Sequence, residues 1–306
     1  METKKKKSKG ERQKILHQNL VAYSFLAPSL IGVICFSLIP LVISLYVSLT
    51  DWNFTQGIGN WNFVGLTNFK NLWTDEWFTA SLKNTLLFTI VTVPIGLFLA
   101  IVIAVLIDEF CHKKVAGVVR VAMYMPHICN IVAISVVWMA LYSKYGPFTQ
   151  LMRALGWQDP PRFLASYEWA LPAIMLVVIW ASLGYRVFMY SAAITGLPRD
   201  LYEAAEIDGA GTFKIFYKII LPACTPILAT VAIFAAVAQW NSFQDTLIYI
   251  TDQKLYSLQY LLYTYINQAS SLATMVKNST GGALNMAAIA TQQTPTSIRM
   301  TLSVIV

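Results

Sequence analysis

Residues 203–222 read EAAEIDGAGTFKIFYKIILP, a charged and glycine-bearing segment with a long apolar run on either side. The two runs cover about 169–194 and 222–250. Each is long enough to cross a bilayer, because a membrane helix needs about 20 mostly apolar residues. The stretch therefore predicts two membrane helices joined by a polar connection that lies outside the bilayer.

The rest of the chain has the same apolar character. Of its 306 residues, 57% are hydrophobic and only 12% are charged, whereas soluble proteins average about 25% charged residues. This composition predicts one all-α, polytopic membrane domain over 21–306, behind a basic tail at 1–20. The predicted spans are about 21–49, 84–107, 121–142, 169–194 and 222–250, with a partial sixth span from about 297.

The sixth span is predicted to be incomplete. Residues 297–306 would extend about 15 Å as a helix, half of the roughly 30 Å apolar thickness of a bilayer. Starting the helix earlier would bring Gln292, Gln293 and Pro295 into the span.

The distribution of basic residues predicts a cytoplasmic N-terminus. With that orientation, the cytoplasmic segments hold 13 Lys and Arg residues and the opposite segments hold 7, as the positive-inside rule requires. The net charge of +7 is concentrated in the tail, so it indicates membrane orientation and not a nucleic-acid surface. The apolar run at 21–49 is too long for the core of a removable signal peptide.

The polar connection, 199–221, is predicted to form two short helices around a glycine turn. Asp200 is expected to cap the first helix, which would carry Ala204, Ala205 and Asp208 on roughly one face. Gly209 suits the left-handed residue that ends a helix, and Thr212 is expected to cap the second. That helix would place Phe213, Phe216, Tyr217 and Ile220 on one face. From spacing alone, the connection could be a docking surface or merely a solvated hairpin.

This connection resembles the signature of ABC importer permeases. In that signature, three residues separate E-A-A from G, and nine further residues separate that G from I-x-L-P. Glu203, Ala204, Ala205, Gly209 and Ile219-x-Leu221-Pro222 fill these positions. The variant with Asp208 before the glycine is similar to the carbohydrate-uptake branch of maltose and glycerol-phosphate permeases. Weaker matches lie at 27–32, 48–52, 63–69, 84–86 and 240–243.

The resemblance implies a permease subunit in a bacterial-type cell (inner) membrane. It implies that Glu203, Ala204, Ala205, Asp208 and Gly209 dock a separate ATPase subunit. The expected partners are a second permease, two ATPase subunits, an extracellular or periplasmic sugar-binding protein, and membrane lipid. The chain has no G-x-x-x-x-G-K-[ST] phosphate loop, so ATP is expected to bind the partner. We expect no cofactor, metal site or enzymatic activity in this chain.

Polar residues in the fifth run are candidates for the substrate pathway. Trp240 and Gln244 would share a helical face with Asn241 beside them, and an aromatic ring with amide groups suits a sugar-sized ligand. Helix–helix hydrogen bonding is the alternative. Arg186 is expected to pair with helix-end carbonyls or a loop carboxylate, and His127 with a carbonyl at the Pro126 kink.

Three other classes of transporter or enzyme remain as alternatives. An amino-acid or peptide ABC importer is the nearest. An ion-coupled carrier would need carboxylates at mid-bilayer, for which only Asp245 is a candidate. An intramembrane enzyme lacks a supporting motif. The sequence does not identify the sugar, nor which of the two permease roles the chain fills.

Overall fold

The computed structural model describes residues 9–52 and 62–278, and the described residues are mostly helical. They divide into two compact units, one up to Leu72 and the other over Trp73–Met275. Four helices are long and apolar enough to span a membrane, and a bent helix pair makes a fifth candidate. The predicted all-α polytopic fold is thus confirmed. These segments are His17–Ser48, Glu76–Phe110, Tyr167–Thr195, Thr212–Trp240, and Lys114–Ile128 with Ile131–Leu141.

The first unit is built around one long apolar helix. Helix α1 (Lys9–Val33) continues through a π-helical turn (Ile34–Leu38) into α2 (Ile39–Ser48). The helix thus begins inside the predicted basic tail and before the predicted span at residue 21. Beyond it, Asp51 accepts hydrogen bonds from the backbone N–H and side-chain amide of Asn62, at 2.6 and 3.1 Å. Helix α3 follows at Thr67–Thr74.

In the second unit, α4 (Glu76–Phe110) and α8 (Tyr167–Thr195) run in the same direction and pack along their lengths. Asp75 caps α4 by accepting a hydrogen bond from the backbone N–H of Phe78 at 2.8 Å. Helix α5 (Lys113–Ile128) packs on α8 where Gly184 lies, since a Cβ there would collide with the carbonyl of Met123. The glycine therefore sets the distance between these two helices.

Two hydrophobic clusters lie at opposite ends of this unit. One contains Ala100 of α4, Val187 of α8 and Val231 of α11 (Leu221–Trp240), with α9 (Arg199–Ile207) and α10 (Thr212–Ile215) against it. The other contains Phe88 of α4 and lies beside α7 (Pro147–Ala154). We call these the α9 end and the α7 end.

Two predicted spans are broken. The third bends by 97° between α5 and α6 (Ile131–Leu141), where Asn130 caps α6 by accepting from the N–H of Val132 at 2.8 Å. The prediction of a continuous fifth span over 222–250 is wrong, because α11 ends at Trp240 and α12 begins at Gln244 (Gln244–Tyr249). At this break the side-chain amide of Asn241 donates to the carbonyl of Val237 at 2.8 Å. Such a local bond competes with helix continuation.

The region after the fifth span contains a helix that the sequence analysis did not predict. Helix α13 covers Leu258–Asn278, between the predicted fifth span and the predicted partial sixth span. The predicted partial sixth span lies outside the described residues.

Candidate functional site

The polar connection forms two short helices around a left-handed glycine, as predicted. Gly209 has φ +71°. The backbone N–H of Asp208 donates to the carbonyl of Ala204 at 3.0 Å, and that of Ala210 donates to Ala205 at 2.9 Å. The second bond closes six residues and is typical of a Schellman ending to a helix. We call Arg199–Ile215, from the start of α9 to the end of α10, the coupling segment.

Both predicted helix caps are wrong. Helix α9 begins at Arg199, so Asp200 lies in its first turn, where a carboxylate still favours the positive end of the helix dipole. The residue that caps α10 is Gly211, at φ −71° and ψ 161°, and Thr212 is the first helical residue. Helix α9 thus begins two residues earlier, and helix α10 one residue earlier, than the capping pattern indicated.

The paired alanines of the signature do not share a surface. Ala205 is only 9% exposed and belongs to the cluster at the α9 end, whereas Ala204 is exposed. Consecutive residues on a helix point about 100° apart, because the helix has 3.6 residues per turn. Ala205 therefore packs the coupling segment onto the membrane helices. Ala204 lies on the outer surface, where its small side chain allows close approach.

Tyr202 and Ala210 also hold the coupling segment in place, which the sequence analysis did not predict. Both pack against the α9-end cluster, and the Tyr202 hydroxyl is buried with no hydrogen-bond partner among the described residues. Burial raises the pKa of Tyr202, and the nearby carboxylate of Asp108 raises it further. Asp108 itself pairs with Arg120 of α5 at 3.4 Å. The signals in the sequence for this packing were the aromatic side chain of Tyr202 and the small apolar side chain of Ala210.

The outer face of the coupling segment combines negative charge with apolar tips. The side chains of Glu203 and Asp208 are exposed, and neither forms an ion pair with another described residue. Ile207 is 86% exposed and Phe213 is 81% exposed. The outer face of the coupling segment therefore carries exposed apolar side chains beside its exposed carboxylates.

The predicted common face of Phe213, Phe216, Tyr217 and Ile220 is wrong. Phe213 and Tyr217 are exposed, but Ile220 is buried and Phe216 packs against the core. Phe216, Tyr217 and Ile220 lie within a π-helical turn over Phe216–Ile220. Because a π turn holds more residues than an α turn, side chains within it point in different directions from those of a regular α-helix.

The three predicted pathway residues surround the break in the fifth span. Trp240 ends α11, Asn241 is exposed beyond it, and Gln244 begins α12 with an exposed side chain. The prediction that Trp240 and Gln244 share a face of one helix is therefore wrong. A hydrogen bond from Ser242 Oγ to Asp245 Oδ2, at 2.8 Å, spans the break.

Both broken spans face one cavity of about 210 Å³. His127 and Cys129 border it from the α5–α6 break, and Asp245 and Tyr249 border it from α12. Ala181 is among the α8 residues that form its wall. Broken helices inside a membrane occur where the backbone lines a cavity, and transporters place substrates at such breaks. Trp240, Asn241 and Gln244 are not among the residues that line this cavity.

The expected partners of Arg186 and His127 are absent among the described residues. Arg186 is only 7% exposed and its Nη1 atom has no hydrogen-bond partner. The ring of His127 stacks on Tyr185, with centroids 5.0 Å apart, and lies 5.5 Å from Tyr124. The contacts predicted for Arg186 and His127 are therefore wrong for the described residues.

Membrane-length helices, a docked polar segment at one end and a cavity between broken spans define a helical membrane transport subunit. The chain belongs to the family described as binding-protein-dependent transport system inner membrane component, whose model matches residues 92–291. The prediction of an importer permease is thereby confirmed.

Individual relatives agree with this assignment. The probable ABC transporter permease protein YesP of Bacillus subtilis is 30% identical over 246 residues, 79% of this chain and 76% of that protein. The alpha-glucoside transport system permease protein AglF of Rhizobium meliloti is 30% identical over 73% of this chain and 68% of its own. A chain of a bacterial alginate ABC transporter, solved with an alginate-bound periplasmic protein, shares the fold. Its TM-score is 0.71 at 24% identity, over 84% of this chain and 86% of that one.

Proposed function

We propose that the chain is the permease subunit of an ATP-driven carbohydrate importer, and that its coupling segment docks a separate ATPase. One observation carries this proposal. Ala205 anchors the coupling segment to a cluster that joins α4, α8 and α11, while Glu203 and Ile207 face outward. A force applied to the outer face would therefore reach three spans at once.

The outer face suits a protein groove. Ala204 keeps the surface low enough for close approach, and the exposed apolar tips supply area that a partner can bury. The carboxylates of Glu203 and Asp208 would orient the partner, since complementary charge favours one docking register. Because the sequence has no phosphate loop, we assign ATP binding to the partner.

For the substrate pathway, we favour the cavity between the broken spans together with Trp240, Asn241 and Gln244 at the break in the fifth span. Exposed amide groups and nearby aromatic rings are groups that recognise sugars. A relative named for alpha-glucoside transport supports a carbohydrate over an amino acid or peptide. A second permease would complete the pathway, because Asn241 and Gln244 are exposed on this chain.

We place the N-terminus and the coupling segment in the cytoplasm, following the excess of Lys and Arg on that side. The α7 end then faces outward, where a sugar-binding protein would deliver substrate. Two ATPase subunits would serve the permease pair. The assembly would lie in a bacterial-type cell membrane.

The test is reconstitution of the complete complex in lipid vesicles with each candidate binding protein encoded beside it. We expect ATP-dependent uptake of a sugar such as an α-glucoside, and no uptake of amino acids or peptides. Glu203→Lys should lower uptake and ATPase retention, because it reverses a charge on the outer face. Uptake of amino acids alone would reject the carbohydrate assignment, and full ATPase retention in Glu203→Lys would reject the docking role.

A further inference from the structure

The connection between α6 and α8 is a folded platform. The ring of Tyr142 stacks on Phe148, with centroids 5.3 Å apart, and packs at a tilt against Phe163, with centroids 5.1 Å apart. The Tyr142 hydroxyl donates to the carbonyl of Ala173 at 3.0 Å, which ties the platform to α8. Thr149 Oγ1 donates to the carbonyl of Ser143 at 2.9 Å. A surface held this way pays little ordering entropy on binding.

This platform carries a cationic pocket of about 540 Å³, lined by Lys144, Arg153 and Arg162. Asp159 is the one carboxylate among its lining residues. The three basic side chains are exposed, and none pairs with a carboxylate in the described part of the chain. The pocket therefore presents a net positive charge.

We propose that this pocket receives carboxylate side chains from the binding protein, which docks here when it delivers substrate. The inference rests on the proposed function, since it needs the α7 end to face outward and a binding protein to exist. It adds the location and the chemistry of the contact. A protruding acidic surface on the binding protein would complement this concave, positively charged pocket.

The lining argues against a sugar as the occupant. Sugar sites present exposed aromatic faces and amide groups, whereas the one aromatic residue in this lining, Tyr142, is 7% exposed and covered by other rings. The pocket also shares no lining residue with the cavity between the broken spans. A lipid phosphate is a less suitable occupant, because one phosphate is much smaller than this pocket and its three separate cations.

Exposed ion pairs act mainly on the rate of association, and salt weakens them. Removal of the positive charge should therefore raise the concentration of binding protein that half-maximally stimulates ATP hydrolysis. It should leave hydrolysis without binding protein unchanged. The difference in half-maximal concentration between the variant and the unmodified complex should shrink as salt is added, because the Debye length falls to about 3 Å at 1 M salt.

The experiment uses the complete reconstituted complex and the binding protein that stimulates its ATPase activity. In the variant Arg153→Glu with Arg162→Glu, we expect the half-maximal concentration to rise about tenfold at low salt, because charge steering changes association rates by 10-fold or more. The matched control is Lys83→Glu with Lys254→Glu. These two exposed lysines lie toward the same α7 end of the chain, outside the pocket. The control variant makes the same change in net charge, and we expect it to raise the half-maximal concentration much less.

An equal shift in the control, or no shift in the pocket variant, would overturn the proposal. So would a defect that persists at saturating binding protein, which would indicate a sugar in the pocket. A shift that appears only in anionic vesicles would indicate lipid.

If the double reversal fails to assemble, the neutral pair Arg153→Gln with Arg162→Gln provides the same comparison. Charge reversal of an acidic residue on the binding protein should restore stimulation of the pocket variant. Failure of the proposed function would instead abolish stimulation in the unmodified complex.

Discussion

The Nη1 atom of Arg186 lies against the backbone of Gly96, where α8 crosses α4, and any Cβ at Gly96 would collide with it. Arg186 is buried, yet no described residue accepts a hydrogen bond from Nη1. A charged side chain within a membrane span is costly and therefore a functional candidate. Here the glycine provides the space that the guanidinium group occupies.

Gly96→Ala should destabilise the complex. The added methyl group must displace a buried cation, and overpacking of this kind costs about 1–3 kcal/mol. The measurement is the midpoint of thermal unfolding of the purified complex. Gly117→Ala is the matched control, because Gly117 is exposed in α5 with no atom near a new Cβ. Equal midpoints for the two variants would show that α4 and α8 separate easily.

Arg186→Met should leave the complex as stable as the unmodified form, or more stable. A buried charge without a partner opposes folding, and an apolar side chain of similar length removes that cost. The thermal midpoint again measures the effect, and uptake should be recorded with it. A loss of about 3 kcal/mol or more would mean that another subunit supplies a carboxylate to Arg186, since breaking a buried pair costs that much.

Gly209→Ala should reduce ATPase retention by the permease, whereas Gly211→Ala should not. Neither new Cβ would meet an atom within 4 Å, so the two positions differ mainly in backbone conformation. Gly209 is at φ +71° and Gly211 at φ −71°. A left-handed non-glycine residue costs about 1–2 kcal/mol. The measurement is the ATPase-to-permease ratio after purification, and similar ratios would exclude a role for the turn.

A cysteine at Ala154 should react with an impermeant thiol reagent added outside intact cells, and a cysteine at Thr212 should not. Ala154 is exposed on α7 and Thr212 is exposed on α10. The four native cysteines, of which Cys35 and Cys129 are exposed, would first be replaced. The reverse labelling pattern would place the coupling segment outside and would contradict the proposed orientation.

Ala181→Leu should slow uptake without disturbing assembly, because it fills part of the cavity between the broken spans. The control is Ala192→Leu, the same change at an exposed position of α8. Uptake per assembled complex is the measurement, with binding-protein-stimulated ATP hydrolysis recorded alongside it. Unchanged uptake in Ala181→Leu would exclude this cavity from the pathway.

Much of the architecture could be predicted from the sequence, because local chemistry decides it. Long apolar runs must become helices in a bilayer, where each backbone polar group needs an internal partner. Gly209 ends a helix because only glycine adopts its conformation without a steric penalty. The signature around Glu203 identifies the family from the sequence alone, in agreement with the family model.

Only the tertiary structure decided how these elements meet. The side-chain bonds of Asn130 and Asn241 at the two breaks are local, but only the packing of distant segments brings both broken spans to one cavity. The same packing separated Ala204 from Ala205. It also left Arg186 against Gly96, where no described residue accepts a hydrogen bond from its Nη1 atom. Hydrophobicity and turn chemistry act over a few residues and so can be read from the sequence, whereas cavities and contacts arise where remote residues share space.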